Sequence, residues 1–315
     1  MNVVVTGTIS YDFIMDFPGR FVDRIMPDKI HNISLSFLVD KLEKQFGGTS
    51  GNIGYSLNLL GINPILYASV GDDFALYEQF LKKNKIETSS IQRVPREHCS
   101  SYFVVTDKED NQIGSFYTGA TKFNHTLSLK HLKYKPDFVI ITADYPAAMK
   151  KFVRECRALK LRYMYDPAFQ ISLYSSDELR EGITGAQMLI GNDYEIEMIR
   201  KKLSITHAQL MTLVPVVITT LGSRGSIISE RTTKESFTIK PAKPKDVTDP
   251  TGAGDAYRAG FVAGYLRGFD LKTCGQMGSV AAAYTVEKYG TMTHTYSKST
   301  FARRYKENYK TTPLL

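Results

Sequence analysis

The chain has 315 residues, of which 43% are hydrophobic and 23% charged, with a formal net charge of +8. That length can bury a sizeable core, as one large α/β domain or two unequal ones. No run approaches the roughly 20 apolar residues of a membrane span, and the lysines and arginines are scattered rather than drawn into one stripe. With no RNA- or DNA-binding motif beside them, the basic balance suits a polyphosphate ligand better than a nucleic acid. Three widely spaced cysteines (Cys99, Cys156, Cys274) argue against a disulfide framework or a zinc site. The first residues lead straight into a strand pattern, without a basic start and apolar signal region, so the expected compartment is the cytoplasm.

In chain order, residues 3–7 read as a buried strand ending at Gly7. Thr8 and Asp12 follow it, in the region where open α/β sheets bind ligands. Residues 13–40 are broken by Pro18-Gly19 and Pro27-Asp28 and read as an inserted β element with loops. Gly47-Gly48-Thr49-Ser50-Gly51-Asn52 opens a helix over 53–60. A strand over 64–70 and a helix over 72–85 come next. Residues 101–117 read as a β-hairpin around the polar turn 107–111.

From there the alternation is regular. Strands over 137–142, 161–166, 187–190 and 214–220 are interleaved with helices over 146–159, 176–183 and 194–203. A β pair (226–229 and 236–239) precedes three helical stretches, one opening near 255, one over 271–289 and one near 299–309. This order predicts a doubly wound, mostly parallel sheet flanked by helices. The β-rich interruptions, at about 13–40 and 98–120, suggest a small discontinuous β lid on a single domain spanning 1–315.

One stretch organises the rest: Val247-Thr248-Asp249-Pro250-Thr251-Gly252-Ala253-Gly254-Asp255, running into a small and apolar helix. Gly252 and Gly254 let the backbone approach a ligand closely. The unpaired N–H groups of a helix's first turn point outward, where a phosphate or a developing oxyanion would sit. Asp255, at the rim of that anion site, is placed to take a proton from an attacking hydroxyl. A plain loop with Asp255 favouring the helix dipole is the bland alternative.

Other strings are less specific. Gly48 permits close approach to a hydroxyl-rich ligand, and Asn52 offers both a donor and an acceptor. The oxygens of Asp12 could accept from neighbouring hydroxyls of a sugar, or merely cap a turn. Tyr102 and Phe116 fall on the lid hairpin, where they could stack on a purine or pack the lid's own core. No Walker-A string and no Gly-x-Ser-x-Gly occurs.

The nine-residue string resembles the signature of the ribokinase-like (PfkB-type) carbohydrate and nucleoside kinases, and the resemblance runs from Val3 to about Gly290. It implies a ribokinase-like fold with a β lid, ATP and Mg2+ as cofactors with K+ as a further option, a small-molecule substrate, and a homodimer through the lid as one option. It makes Gly252, Ala253 and Gly254 the anion hole and Asp255 the catalytic base. Thr8, Asp12, Ser36, Gly48, Asn52, Tyr102, Phe116 and Gln170 become substrate residues. Asn192, Thr220, Gly222 and Gly225 become ATP residues. Glu195 would help hold magnesium through water, and Asp249 with Thr251 would lie by a monovalent cation. Within the family, Phe17-Pro18-Gly19-Arg20-Phe21 and Ser34-Leu35-Ser36-Phe37-Leu38-Val39-Asp40 resemble bacterial adenosine kinases. That branch carries Gln-Gln after an Asp-Pro, whereas here Asp166-Pro167 leads to Ala168-Phe169-Gln170. The expected activity is phosphorylation of a nucleoside 5′-hydroxyl, adenosine foremost. A ribose- or fructose-type sugar kinase and a catalytically silent nucleoside-binding protein are the alternatives.

Overall fold

β-Branched residues set the first strand. Val3 and Val5 pack into one apolar cluster and Val4 into another, so β1 (Asn2–Thr6) is covered on both faces. The structure, a computed structural model, describes residues 1–26, 34–109 and 111–311. After β1 come β2 (Ser10–Asp16), β3 (Lys41–Gly47), α1 (Thr49–Leu59), β4 (Asn63–Tyr67), β5 (Ser69–Val70), α2 (Ala75–Lys83) and β6 (Gln92–Arg93). A hairpin of β7 (Ser100–Thr106) and β8 (Gln112–Tyr117) follows. Then the chain alternates through β9 (Phe138–Ile141), α3 (Pro146–Ala158), β10 (Tyr163–Tyr165), α4 (Ser176–Ile183) and β11 (Met188–Asn192). It continues with α5 (Asp193–Leu203), α6 (His207–Leu213) and β12 (Val216–Thr220). The last elements are β13 (Ser226–Glu230), β14 (Ser236–Ile239), α7 (Ala253–Leu266), α8 (Leu271–Val286) and α9 (Lys298–Tyr309).

The main sheet has the order β14-β13-β12-β11-β10-β9-β1-β4. Pairing is parallel from β12 to β4, and β13 and β14 close one edge antiparallel. The period-2 alternation of strands divides the core cleanly. Phe138, Ile140, Met188 and Ile190 join α1, α7, α8 and α9 on one face, while Val139, Ile141 and Leu189 join α3, α4, α5 and α6 on the other. This is the doubly wound arrangement the alternation predicts. β1 feeds β4 on one side while the rest of the chain builds outward from β9 on the other, so strand order reverses between β1 and β9. Ligands of such sheets bind at the carboxyl ends beside that point.

α7 is buried because its small residues let α8 come close. A Cβ on Gly260 would lie 2.6 Å from Met277 O, and one on Gly278 would lie 2.8 Å from Tyr257 O. The small-and-apolar pattern after Asp255 is therefore a packing pattern, and it fixes where the first turn of α7 points.

The second sheet has the order β3-β2-β7-β8. β2 and β7 pair in parallel, which sews two distant chain segments into one small sheet, the candidate lid. The hairpin stands where the sequence places it. The first lid segment is corrected: its strands are β2 and β3, so residues 41–47 lie beyond the expected limit of 40 and Asp12 is on a strand rather than in a turn. Lys41-Leu42-Glu43-Lys44-Gln45-Phe46 is an edge strand whose charges hide its alternation. Between these strands Phe37 packs on Phe17 and Phe21, with ring centroids 5.0 Å from each. The expected Pro27-Asp28 turn lies outside the described residues.

Three further differences have local causes. α1 starts at Thr49 rather than 53, because Gly48 turns the chain at φ 90° and Thr8 Oγ1 accepts the Thr49 N–H at 3.1 Å. The expected strand 64–70 divides into β4 and β5, which join different sheets. α6 was not anticipated, although Thr206 and Gln209 form a capping box that the sequence displays.

Candidate active site

The first turn of α7 opens on Gly252, held at φ 77°, in the left-handed region that glycine enters without a Cβ penalty. The Ala253 N–H turns back onto Pro250 O at 3.2 Å. The N–H groups of Gly252, Gly254 and Asp255 have no acceptor among the described residues. Such an array, backed by the helix dipole, is suited to holding an anion. The loop before them is pinned by Asp249, whose two oxygens accept from Thr251 N and Gly290 N, each at 2.9 Å.

Asp255 is half-buried and joined to Asn52, whose Nδ2 donates to Asp255 Oδ2 at 2.8 Å. Burial lifts the Asp255 carboxyl to about 6, with Arg258 and the Asn52 hydrogen bond holding it down in part. Asn52 Oδ1 is buried and has no partner among the described residues, so an acceptor stands open beside the carboxylate that would take the proton. The elements that bring these together are α1 and α7, 203 residues apart in sequence.

Asp12 faces the same space from β2. A Cβ on Gly47 would lie 2.1 Å from Asp12 Oδ2, and one on Gly48 would lie 2.5 Å from Thr8 O. The Gly-Gly pair therefore admits the carboxylate and the β1–β2 turn at once. Burial, then the charges of Asp255 and Asp249, push Asp12 up to about 7, against a lowering hydrogen bond from Ser10. Thr8 is a staple: its backbone O accepts from Ser50 N and its hydroxyl from Thr49 N.

Sequence reasoning missed Arg258. It lies one helical turn after Asp255 and is buried, and it binds Asp166 at the end of β10 by two hydrogen bonds of 2.6 and 2.8 Å. Thr142 Oγ1 donates to the same carboxylate at 2.7 Å. A Cβ on Gly254 would come within 2.9 Å of Arg258 Nη1, so the guanidinium lies directly behind the anion end. Burial alone would lower its proton affinity, yet Asp166 raises it well past the ordinary arginine value. The signal was available as a cationic residue inside an otherwise apolar helix stretch.

On the other side lie the candidate nucleotide residues. Asn192 and Thr220 are register partners at the carboxyl ends of β11 and β12. Asn192 and Glu195 form a capping box: Asn192 Oδ1 accepts from Glu195 N at 2.8 Å and Glu195 Oε2 from Asn192 N at 2.7 Å. Gly222 (φ 59°) and Gly225 (φ 93°) shape the turn after β12, while Arg224 reaches Asp193 at 2.6 Å in solvent. Among the described residues no group of three or more His, Cys, Asp or Glu is placed to hold a metal, and no helix is long and apolar enough to cross a membrane. A magnesium ion held mainly by water and phosphates needs no such cluster. Glu195 fits that role, since Oε1 has no hydrogen-bond partner among the described residues. Burial, then Asp166, raise its carboxyl above the ordinary value, which a nearby cation would offset.

Tyr102 and Phe116 share one face of the lid with Asp12, because the three are register partners across β2, β7 and β8. Tyr102 lies over Gly114, where a Cβ would meet its hydroxyl. Gln170 is buried in the turn after β10, and Ser36 is exposed in the irregular segment before β3.

The pfkB family carbohydrate kinase profile matches residues 2–298. The chain is 31% identical over 298 residues to a nucleoside kinase of Methanothermobacter thermautotrophicus, covering 93% of this chain and 92% of that one. It superimposes on the Burkholderia thailandensis nucleoside kinase in complex with inosine with a TM-score of 0.90, at 28% identity and 99% coverage of both chains. Against the same kinase in complex with ADP-inosine the TM-score is 0.88 at 29% identity, covering 99% of this chain and 97% of the other. The glycine-framed anion end, the Asn52–Asp255 pair and the β lid on a doubly wound sheet thus have their family: the chain belongs to the pfkB carbohydrate kinases and has their ribokinase-like fold.

Proposed function

We propose that the protein transfers the γ-phosphoryl group of ATP to the 5′-hydroxyl of a nucleoside, with adenosine as the favoured substrate. The observation that carries this reading is the Asn52–Asp255 pair at 2.8 Å, with Asn52 Oδ1 left open beside it. The similarity to nucleoside kinases, one of them bound to inosine, supports a nucleoside over a free sugar.

In this mechanism Asp12 and Asn52 accept hydrogen bonds from the sugar hydroxyls and set the 5′-oxygen toward the first turn of α7. Asp255 accepts the 5′-hydroxyl proton as that oxygen bonds to the γ-phosphorus. The bond from the γ-phosphorus to the bridging oxygen breaks, ADP leaves, and a nucleoside 5′-monophosphate remains. The N–H groups of Gly252, Gly254 and Asp255 hold the transferring oxygens, where charge spreads in the transition state. Arg258 supports this from behind without touching substrate. Asn192, Thr220, Gly222 and Gly225 lie along the nucleotide. When bound near Glu195, Mg2+ would neutralise phosphate charge. A monovalent cation beside Asp249 and Thr251 belongs to the same reading, and comparing rates in K+ and Li+ tests it.

The lid face opposite Asp12 carries Phe13 stacked on Phe103 at 4.7 Å, with exposed Leu42 and Ile113 near them. That apolar patch supports a homodimer through the lid, which sedimentation would test.

The deciding assay is ADP release with a panel of adenosine, inosine, cytidine, ribose and fructose. The nucleoside reading requires adenosine or another nucleoside to have the highest kcat/KM. A sugar in that place establishes the sugar-kinase alternative, whose support is that Asp12 and Asn52 need only hydroxyls. No turnover with any of them would sink both.

A further inference from the structure

We infer that Thr291 is a positioning residue that ties the acceptor side of the site to its phosphoryl side, an assignment that rests on the kinase reading above. Thr291 is 4% exposed and lies in the irregular stretch between α8 and α9. Its two branches meet different parts of the site. The hydroxyl donates to Phe46 O at 3.0 Å, near the end of β3, the edge strand of the small sheet. The carbon branch covers Gly252: a Cβ on that glycine would lie 2.9 Å from Thr291 Cβ and 3.0 Å from Thr291 Cγ2. Thr291 thus occupies the space that a side chain on the residue opening α7 would take.

Its chain neighbours grip the same two places. The Gly290 N–H donates to Asp249 Oδ2 at 2.9 Å, and the other oxygen of that carboxylate accepts from Thr251 N. The Gln45 amide of β3 lies where a Cβ on Gly290 would stand. Met292 Sδ is 3.6 Å from the Tyr77 hydroxyl, which donates to Gly47 O at 2.8 Å. Residues 290–292 therefore form a joint between the end of β3 and the turn into α7.

What this joint fixes is a separation that neither element sets by itself. The Asp12 carboxylate lies where a Cβ on Gly47 would stand, so the chain just after Phe46 backs the group that would orient the sugar. Gly252 opens the turn whose N–H groups would hold the transferring oxygens. One threonine, 245 residues from Phe46 in sequence, reaches both. It thereby sets how far the attacking oxygen stands from the phosphorus, and a misplacement of about 1 Å there costs on the order of 10²-fold in rate.

The two branches can be removed one at a time. Thr291→Val keeps a methyl over Gly252 and loses the donor to Phe46, whereas Thr291→Ser keeps the donor and loses the methyl. With the acceptor that wild type uses best, Thr291→Val should raise the acceptor KM by about 2- to 12-fold, the range for one lost hydrogen bond, and leave kcat within about twofold. Thr291→Ser should lower kcat by about fourfold or more, the equivalent of one buried methyl, and leave the acceptor KM within about twofold. Hydrogen exchange, which needs no turnover, is the second arm. Peptides over 41–47 should exchange faster in Thr291→Val alone, and peptides over 249–256 in Thr291→Ser alone. A side chain that only packs would move neither split. If both parameters stay within about twofold in both variants, if the two variants move the same parameter, or if both segments loosen alike in both, the positioning role is overturned while wild-type turnover upholds the kinase reading. If wild type phosphorylates nothing in the acceptor panel, the kinase reading falls and this role with it.

Discussion

Arg258 grips Asp166 through two hydrogen bonds, Nε to Oδ2 at 2.6 Å and Nη2 to Oδ1 at 2.8 Å, behind the backbone of Gly254. The pair joins the first turns of α7 to the end of β10, and so fixes the anion end against the sheet. Both groups are buried, which makes the pair unforgiving of single changes. Arg258→Met should cost about 3–5 kcal/mol, because it leaves the Asp166 charge buried with the Thr142 hydroxyl but no counter-charge. Asp166→Asn should cost less, since an amide keeps one acceptor for the guanidinium. Urea unfolding of both variants gives the comparison, and a loss below about 1 kcal/mol for Arg258→Met would count against a positioning role.

Asp255→Asn should separate catalysis from stability. Removing a general base lowers the rate by about 10² to 10⁴, while adenosine and ATP affinities should change far less. Stability should move the other way. Burial pushes the folded carboxyl up to about 6, above the ordinary aspartate value of 3.8. The unfolded chain therefore holds fewer protons between those values, and the ionised group subtracts stability as pH rises through that window. The neutral amide removes this deficit, so the variant should be more stable at pH 7 by about 1–3 kcal/mol. A variant that is slower and less stable would contradict the burial argument.

The same carboxyl sets a pH dependence. Only ionised Asp255 can accept the hydroxyl proton, so kcat/KM should fall as pH drops through about 6 and level off above it. Rates from pH 5 to 8.5 in mixed buffers test this. A profile flat down to pH 5 would remove Asp255 as the base.

The two glycines of the anion end should respond differently to alanine. Gly252 is left-handed, and a Cβ there would also meet Thr291 Cβ at 2.9 Å. Gly252→Ala should therefore cost at least about 1–2 kcal/mol of stability. Gly254 lies on ordinary helical backbone and would meet only Arg258 Nη1, a movable side-chain end. Gly254→Ala should cost less stability and more in kcat. Equal thermal shifts for the pair would refute this division.

Lid closure should be visible by hydrogen exchange. β2, β3, β7 and β8 should gain protection when a nucleoside is added, because a closed cleft excludes the water that would compete for the phosphoryl group. β9 to β12, within the main sheet, should change little. Identical exchange in the lid with and without substrate would make it static.

Residues 247–255 announced a glycine turn opening a helix because glycine spacing and a following helix are local features. The alternating sheet was legible for the same reason, from β9 to α5 above all. What escaped was decided at long range. β3 reads as a charged stretch until β2 pairs with it. Arg258 reads as an ordinary helix charge until Asp166, 92 residues earlier, meets it. Tyr102 and Phe116 were visible as aromatic residues on a hairpin, but only the sheet register shows that they share a face with Asp12. Gln170 was singled out by resemblance, while its open oxygen depends on a contact to Asp144 that no spacing reveals.

Asp12 belongs to β2, a lid strand, whereas Asp255 belongs to α7, whose partner is α8 in the core. In the proposed mechanism the group that orients the sugar is thus mounted on the small sheet and the group that takes its proton on a core helix. An open lid would carry Asp12 away and leave Asp255 facing a cleft with no aligned hydroxyl. On that reading, fidelity against wasteful ATP hydrolysis would follow from assembly, with the reacting pair a unit only once the acceptor has drawn both halves together.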